Sequence, residues 1–382
     1  MKSPLWIKQL AFSLVVFLVL ISLVELGMRS RQYFKYRVWQ VPGWLCDGKP
    51  ETSVWNPFLR SIPAPKVIWN EVEAGRRIDI VSNSQGLRSE EVSERKPVGT
   101  FRVICVGGSV VYDTRVGFED SWPIQLQKIL RQRYTNQVIE VLNAGIPART
   151  SADSLVNIGL RLLALSPDVI VVLHGVNDQK PNRYPGFKPD YSHWYQKPEE
   201  PGFRTYLNRW IDHSLFLAHV RWRWRNLVNP WRLENWRGEP MVRYDEVTQP
   251  GLDTYRRNLE SIVGVCRMQK VEVVFATAGH SLEGNADWNP GMGTRNPLVN
   301  YHDCLTLKGI KDGFLKYNNV MRAVAATNNC VLVDLEALMP EGKEWYQDDV
   351  HYTTKGSSKV AGIFLEQVRW SRWLGGKSGG DE

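Results

Sequence analysis

The sequence lacks the features that mark metal-binding and repetitive proteins. It has no Cys-x-x-Cys pair, no internal repeat and no long low-complexity run. Structural zinc sites need closely spaced cysteines and histidines, so we expect no metal and no other cofactor. Five cysteines are scattered through the chain, and any disulfide among them stays open: Cys46, Cys105, Cys266, Cys304 and Cys330.

The N-terminal segment lacks charge and lacks a pattern of small residues for cleavage. No charged side chain occurs from Leu10 to Val24. Extended to Gln9 and Gly27, the segment gives about 19 residues, or roughly 28 Å of helix, close to the ~30 Å of a bilayer core. Signal peptides have shorter apolar cores and a small-residue cleavage site. We therefore predict a single-pass transmembrane anchor over residues 1–30 rather than a signal peptide.

Basic residues outnumber acidic ones, 48 to 40, which gives a formal net charge of +8. Such a surplus suits nucleic acid, a membrane surface or an anionic polymer, and it can also be incidental. A membrane-anchored chain has little access to nucleic acid, so we expect no nucleic-acid partner.

From residue 101 onward, apolar runs of strand length alternate with helical patterns. Residues 31–100 are instead rich in proline, which predicts an irregular lead-in. Continuous apolar strands separated by amphipathic helices are typical of a parallel sheet covered on both faces. The pattern predicts an α/β doubly wound domain over residues 101–375. Its predicted strands are 103–106, 138–142, 169–173, 271–276 and 331–335, and its predicted helices are 121–134, 151–165, 253–269, 311–327 and 355–370.

An insert at residues 179–250 interrupts this alternation. It is rich in tryptophan, arginine, tyrosine and proline, as in Val220-Arg-Trp-Arg-Trp-Arg225 and Trp231-Arg-Leu-Glu-Asn-Trp236. Aromatic faces can stack on sugar rings and arginines can bind acidic groups. A covering subdomain with packed aromatics explains the composition equally well.

Polar residues follow several of the predicted strands. Ser109 follows the first strand, Gly145 the second and Asn177 the third, while Asp348 and His351 precede the last helix. Parallel strands end at one edge of the sheet, where ligands bind, so these residues can converge. A histidine can activate a serine when a carboxylate holds the imidazole. Backbone N–H groups and a side-chain amide can stabilise the oxyanion that then forms.

These blocks, Gly-Gly-Ser109, Asn-Ala-Gly145, Gly-Val-Asn177-Asp and Asp348-x-x-His351, resemble in order those of the SGNH hydrolases, also called GDSL-type esterases. The resemblance covers residues 101–370. It implies a flavodoxin-like three-layer α/β/α domain with a central parallel sheet. It also implies Ser109 as nucleophile and Asp348 and His351 as its triad partners, with the Ser109 N–H, Gly145 and Asn177 forming the oxyanion hole.

The chain departs from the family at one position, because the usual Gly-Asp-Ser is Gly-Gly-Ser and Gly108 replaces the aspartate. That aspartate is not a catalytic group, so what the change puts in doubt is the support around the turn. Two further residues are candidates for substrate binding: His174, beside the Asn177 block, and Arg149, after the Gly145 block. Each has a plainer interpretation, as a satisfied buried histidine and as a surface arginine.

The leading hypothesis is a serine esterase that removes acyl groups, namely O-acetyl groups, from a carbohydrate or polysaccharide. An O-acyltransferase that shares the same acyl-enzyme is one alternative. A non-catalytic carbohydrate-binding protein on a hydrolase scaffold is another. The resemblance to anchored bacterial members places the catalytic domain in the periplasm or outside the cell. The positive residues around the anchor favour the opposite orientation, since two lysines precede it and four basic residues follow by position 37.

Overall fold

The computed structural model describes residues 5–36, 53–65, 68–73, 76–113, 115–195, 214–228, 242–282, 298, 301–302 and 304–375. The chain divides into two compact units. Residues 1–54 and 197–240 form one, and residues 55–196 and 241–382 form the other. Most of the insert predicted at residues 179–250 therefore belongs to the unit that contains the N-terminal helix. Its Trp231–Trp236 run lies outside the described residues.

The first unit contains two described helices, α1 (Leu5–Tyr36) and α6 (Leu215–Val228). Within α1, residues Leu5–Arg31 are long and apolar enough to cross a membrane. The Glu25 carboxylate accepts hydrogen bonds from the backbone N–H groups of Leu215 and Phe216 and from the Ser214 hydroxyl, at 2.9–3.0 Å. A carboxylate at this position satisfies the free N–H groups of a helix N-terminus. The charged residue near the end of the apolar segment thus anchors the Arg-Trp helix.

The stretch predicted as an irregular lead-in contains four short strands. They are β1 (Ser53–Asn56), β2 (Arg60–Pro63), β3 (Ile68–Glu73) and β4 (Arg76–Val81). Strands β3 and β4 pair antiparallel in register from Ile68 opposite Val81 to Glu73 opposite Arg76. Strands of four to six residues between prolines give too short a periodic pattern for a prediction from sequence.

The second unit is built around five parallel strands. These are β5 (Thr100–Gly107), β6 (Val138–Asn143), β7 (Val169–Leu173), β8 (Glu272–Ala276) and β9 (Val331–Val333). Their order in the sheet is β6-β5-β7-β8-β9, and every neighbouring pair is parallel. All residues of β5 and β7 are buried, as their continuous apolar sequences predict. The predicted α/β class and parallel sheet are confirmed, and the order is that of flavodoxin-like folds.

Helices cover this sheet. They are α2 (Ser109–Tyr112), α3 (Trp122–Arg133), α4 (Ser151–Asn157), α5 (Gln179–Asn182), α7 (Gln249–Met268), α8 (Leu307–Thr327), α9 (Leu335–Leu338), α10 (Thr354–Gln367) and α11 (Ser371–Leu374). Helix α3 packs against α10, whereas α7 packs against α4 and α8. The stacked rings of Trp122 and Phe364, 5.0 Å apart, join the first pair.

One predicted helix, residues 151–165, begins at Ser151 as predicted but is shorter. Helix α4 ends at Asn157 and continues as a π-helical turn and a 3₁₀ turn up to Leu165. Its N-cap is Thr150, which forms a capping box with Asp153. Ser151, the first residue of the helix, donates through its N–H and its hydroxyl to the buried Asp178 carboxylate. Ser151 therefore fixes the turn that follows β7.

Arg88 joins the lead-in to the loop after β5. Its side chain is fully buried, and its guanidinium donates to the carbonyls of Tyr112 and Val116 at 2.6 and 2.7 Å and to that of Asp113. Unpaired carbonyls buried without water would each cost about 1–3 kcal/mol. Arg88 therefore holds in place the chain that leaves the first strand of the sheet.

The Arg88→Met variant should lose about 2–4 kcal/mol of unfolding free energy. The Val116 carbonyl loses its donor, while the carbonyls of Tyr112 and Asp113 keep only longer hydrogen bonds, from Asn143 Nδ2 at 3.3 Å and from the Val116 N–H at 3.4 Å. Chemical denaturation followed by tryptophan fluorescence measures the change. The exposed Arg95 of the same segment provides a matched control, and Arg95→Met should change stability by less than about 0.5 kcal/mol. Equal, small effects of the two substitutions would show that Arg88 is not a structural anchor.

Candidate active site

Ser109 lies where β5 ends, at the point where the strand order reverses. Strand β5 has β6 on one side and β7 on the other, and its last residue, Gly107, is in register with Leu173 of β7. In such sheets the crevice at this switch point is the usual ligand site. Ser109 begins α2, and its side chain is partly exposed. A β-carbon on Gly107 would lie 2.4 Å from the Leu173 carbonyl oxygen, so the tight turn requires glycine.

The structure brings Ser109, His351 and Asp348 into one hydrogen-bonded row. The Ser109 Oγ lies 2.7 Å from Nε2 of His351. On the other side of the ring, His351 Nδ1 lies 2.7 and 2.9 Å from the two carboxylate oxygens of Asp348. A carboxylate at Nδ1 holds the proton there and leaves Nε2 free to accept the serine proton.

The turn around Asp348 is itself fixed. Its Oδ1 accepts the backbone N–H groups of Val350 and His351 at 3.0 and 2.8 Å. Burial alone would raise the pKa of Asp348, but the charge of His351 and these hydrogen bonds lower it to about 2. The carboxylate is therefore ionised across the range in which histidine titrates. Arg115 adds a second cation, with its Nη2 3.6 Å from Asp348 Oδ2.

Asp349 takes no part in this row. Its backbone carbonyl accepts the Ser281 N–H at 2.9 Å, and its carboxylate accepts the N–H of Leu298 at 3.3 Å. The Asp-x-x-His spacing therefore brings Asp348, rather than its neighbour, to the imidazole.

Two backbone N–H groups, those of Ser109 and Gly145, are candidates for binding an oxyanion, and they differ in whether they already donate a hydrogen bond. Within the described part of the chain, the Ser109 N–H has no hydrogen-bond acceptor. The Gly145 N–H, by contrast, donates to Asn143 Oδ1 at 3.0 Å. Gly145 is also packed tightly, since a β-carbon on it would lie 2.3 Å from the Tyr112 N atom. Gly145 thus permits close contact with α2, while its N–H already has a partner.

The Asn177 side chain is oriented by two opposite contacts. Its Nδ2 donates to the Arg149 carbonyl at 2.8 Å, and its Oδ1 accepts the Tyr301 hydroxyl at 2.9 Å. An amide nitrogen carries two protons, so one remains for another acceptor. Tyr301 was not predicted, because it lies far along the chain in a stretch without any motif.

At Gly108, where the family usually has aspartate, the Asn177 amide lies against the backbone. A β-carbon on Gly108 would lie 2.3 Å from Asn177 Nδ2, far inside van der Waals contact. The backbone of Gly108 has φ −85° and ψ −149°, so no left-handed conformation requires glycine. The amide of Asn177 occupies the space of the missing side chain.

The two candidate substrate-binding residues have different surroundings. His174 is 3% exposed, and its Nε2 lies 2.7 Å from the Ser154 hydroxyl. Burial lowers the pKa of His174 to about 3, so the ring is neutral and has no open surface for a substrate. Arg149 lies next to Asn177, since its carbonyl accepts the Asn177 amide proton.

His302, the neighbour of Tyr301, provides a pH-dependent prediction. It is 1% exposed, and burial, followed by the charge of Lys180, lowers its pKa to about 3. The unfolded chain takes up this proton below pH ~6.5, whereas the folded chain does not. The protein should therefore lose about 1.6 kcal/mol from this residue between pH 6.5 and pH 5.

The His302→Phe variant should reduce this acid-side loss by the same amount. Denaturant unfolding at both pH values measures it, and His193→Gln, at a more exposed histidine, is the control. A pH slope equal to that of the wild type in His302→Phe would contradict the prediction.

Comparison with known proteins identifies a family whose model matches the region that contains the motifs. The model of the GDSL-like lipase/acylhydrolase family matches residues 105–359. No curated protein matches the chain. An acetylxylan esterase from Geobacillus stearothermophilus is similar in structure, with 17% sequence identity and a TM-score of 0.42. That similarity covers 71% of this chain and 96% of the esterase.

A second similar structure is an alpha/beta hydrolase enzyme from the metagenome of Lake Arreo, Spain. It has 15% sequence identity and a TM-score of 0.41, over 70% of this chain and 94% of that enzyme. The family match spans well over half of the sequence and includes all four predicted blocks. The protein therefore belongs to the GDSL-like lipase/acylhydrolase family and is an ester hydrolase.

Proposed function

We propose that the protein is a serine esterase that removes O-acetyl groups from a carbohydrate through an acyl-enzyme on Ser109. The observation that carries the proposal is the row Ser109 Oγ–His351 Nε2–Asp348, with 2.7 Å at each contact. A serine hydroxyl is a weak nucleophile until a base accepts its proton, and this row provides that base.

In the first half of the reaction, His351 Nε2 accepts the proton of Ser109 as Oγ attacks the ester carbonyl. The tetrahedral intermediate collapses, the C–O bond to the sugar breaks, and His351 returns the proton to the sugar oxygen. In the second half, His351 takes a proton from water, whose oxygen attacks the acyl-enzyme. Acetate leaves, and Ser109 regains its proton. Asp348 stays ionised and stabilises the imidazolium.

The developing oxyanion requires donors, and we assign them to the Ser109 N–H and the free proton of Asn177 Nδ2. Neither proton has an acceptor among the described residues, whereas the Gly145 N–H already donates to Asn143 Oδ1. Donors fixed in advance need no reorganisation when charge develops. Tyr301 and the Arg149 carbonyl keep the Asn177 amide in this orientation.

A carbohydrate substrate is supported by two sets of aromatic side chains, Tyr301 at Asn177 and the pair Trp194 and Tyr195, of which Tyr195 contacts Thr150 next to Arg149. Tyr301 contacts Asn177 directly, while Trp194 and Tyr195 stand beside Arg60. Aromatic rings beside a polar crevice suit the apolar faces of sugar rings.

We further propose that residues Leu5–Arg31 anchor the enzyme, with the catalytic unit outside the cytoplasmic membrane. A C-terminal reporter active only in the periplasm tests the orientation, and a silent reporter would refute it.

The direct test of the proposal is labelling with a fluorophosphonate, which reacts only with activated serines. Full-length protein in detergent should be labelled, and Ser109→Ala should not be. Ser154→Ala, which removes another serine hydroxyl of the same unit, should keep the label. A folded wild-type protein that neither takes the label nor hydrolyses 4-nitrophenyl acetate would refute the esterase assignment and favour a binding protein.

The aromatic side chains of Tyr301, Trp194 and Tyr195 could hold a sugar acceptor as well as a sugar substrate, which supports acyl transfer as a second candidate. The same acyl-enzyme would then pass its acetyl group to a sugar hydroxyl instead of water. Incubation with an acetyl donor and a polysaccharide separates the two reactions. Release of acetate alone indicates hydrolysis, and acetyl groups on the polysaccharide indicate transfer.

A further inference from the structure

Arg149 is a buried cation with few partners. Its side chain is only 8% exposed, and among the described residues its guanidinium donates solely through Nη2, to the carbonyl and the hydroxyl of Ser61. Its Nε is buried without any acceptor in that part of the chain. Both Ser61 oxygens are neutral. Buried guanidinium groups are ordinarily paired with carboxylates, so this arrangement leaves positive charge uncompensated.

A second arginine, Arg60, lies close enough to Arg149 for the two charges to interact. Arg60 lies over the ring of Tyr195, 3.9 Å from its centroid, and 6.0 Å from that of Trp194. Its Nη2 is 3.6 Å from Asp153 Oδ1. The indole N–H of Trp194 is buried and, within the described residues, has no acceptor. The cluster therefore combines buried donors that have no acceptor among the described residues with an arginine side chain, Arg60, that is 42% exposed.

The charges of this cluster do not cancel. Arg149 and Arg60 carry two positive charges, and Asp153 is the carboxylate that acts most strongly on Arg149. Both oxygens of Asp153 are already engaged, Oδ1 with Arg60 and Oδ2 with the Tyr195 hydroxyl at 2.7 Å. One positive charge remains, with unsatisfied donors around it.

The cluster adjoins the proposed catalytic site. The Arg149 carbonyl is 2.8 Å from Asn177 Nδ2 and would be 3.5 Å from a β-carbon on Gly108, the residue before Ser109. The side chain of Arg149 is linked to the same place through Tyr301, whose charge acts on the guanidinium and whose hydroxyl contacts Asn177 Oδ1 at 2.9 Å. We therefore expect a sugar whose acetyl ester lies at Ser109 to reach Arg149 with a neighbouring ring or substituent. Three separate chain segments form this wall: the β2 strand, the loop after β6 and residues 194–195.

We propose that Arg149, with Arg60, Trp194 and Tyr195, forms a subsite for an anionic group of the acetylated glycan. The proposal rests on the esterase function and adds the class of its substrate, a negatively charged polysaccharide. The guanidinium fork binds carboxylate and sulfate groups through paired, charge-assisted hydrogen bonds. The rings of Trp194 and Tyr195 supply an aromatic wall against the sugar that carries the charge.

A purely structural role for Arg149 would require only its hydrogen bonds to Ser61. A neutral donor such as glutamine would fulfil that role without burying a charge. Arg149 instead carries a charge, its Nε has no acceptor among the described residues, and a second arginine, Arg60, lies near it. These features indicate a ligand site rather than a structural contact.

The test compares matched substrates on the full-length enzyme in detergent. O-acetylated oligogalacturonides carry carboxylates, O-acetylated carrageenan oligosaccharides carry sulfates, and O-acetylated xylo-oligosaccharides are neutral. We expect kcat/KM on at least one anionic glycan to exceed that on the neutral one by about tenfold or more. The preference should shrink at high salt, which screens the attraction. Comparison of the two anionic substrates identifies the group that fits.

Two variants test the residue. Arg149→Gln should abolish the preference for the anionic glycan, through a rise in KM, and Arg149→Lys should restore part of it. Arg133→Gln removes an equal charge from the exposed C-terminal end of α3 and should leave the preference intact. Thermal unfolding establishes that each variant is folded. Should Arg149→Gln fail to fold, Arg60→Gln provides the same comparison at the more exposed arginine.

The outcomes separate the subsite from the esterase. Hydrolysis of 4-nitrophenyl acetate with equal activity on charged and neutral glycans would refute the subsite and keep the esterase. An equal effect of Arg149→Gln and Arg133→Gln on the preference would also refute it, because net charge would then explain the preference. If no ester is hydrolysed, the esterase fails. In that case, calorimetric binding of deacetylated oligogalacturonide that is lost in Arg149→Gln would still support the subsite, and its absence would refute it.

Discussion

The His351→Ala variant should lose about four to six orders of magnitude in kcat for ester hydrolysis, with little change in KM. Without an acceptor 2.7 Å from its Oγ, Ser109 keeps its proton and attacks only very slowly. Steady-state hydrolysis of 4-nitrophenyl acetate measures the loss. The rate that remains reflects binding and the oxyanion donors.

His280→Gln provides the matched control, because this histidine lies against Glu336 and Phe314 and not at the serine. Its kcat should stay within about threefold of the wild-type value. The double variant Ser109→Ala/His351→Ala should be no slower than either single variant, since the two residues act as one unit. Losses that simply multiply would show that serine and histidine act independently and would contradict the proposed triad.

Asp348 should affect kcat by keeping the proton of the His351 ring on Nδ1. Asp348→Asn keeps the shape of the side chain but favours a proton on the wrong ring nitrogen, so kcat should fall by about 10⁴. The low pKa of Asp348, about 2, means that wild-type activity should not decline from protonation of this carboxylate above pH 4.

The sheet could be predicted from the sequence because its strands are buried on both faces. Val169–Leu173 is apolar at every position, and its bounds agree with the prediction. The helices α7 and α8 were also predicted, with N-termini four residues too late. Those first turns contain glycine, proline and polar residues, whose apolar periodicity is too weak to mark a helix.

The row of Ser109, His351 and Asp348 could be predicted because each residue follows a strand end or precedes the last helix in a recognisable block. The residues that surround this row could not be predicted from the sequence. Arg60, Tyr301 and Trp194 come from segments with no motif, and only the folded chain brings Tyr301 to Asn177 and Arg60 to Trp194. Likewise, no local pattern indicates that Asn143 already accepts the Gly145 N–H.

The glycine at position 108, where the family usually has aspartate, leads to a further prediction about kcat. Gly108→Ala should lower kcat by about 10²–10³, although it adds a single methyl group, and Gly108→Asp, the usual family residue, should lower it at least as much. The new β-carbon would lie 2.3 Å from Asn177 Nδ2, so the amide must leave its position. Loss of one oxyanion donor costs about 2.7–4 kcal/mol of transition-state stabilisation. The backbone of Gly108, with its negative φ, should tolerate alanine without unfolding.

A double-mutant cycle decides whether the effect passes through Asn177. Asn177→Ala alone should reduce kcat by a similar factor, because it removes the same donor. Once that amide is gone, the β-carbon at position 108 has nothing to displace, so Gly108→Ala should add little to Asn177→Ala. Fully additive losses would mean that the methyl group disturbs Ser109 itself. Strong coupling would instead show that, in this chain, the glycine before the serine and the asparagine of the third block have come to fit each other as a pair.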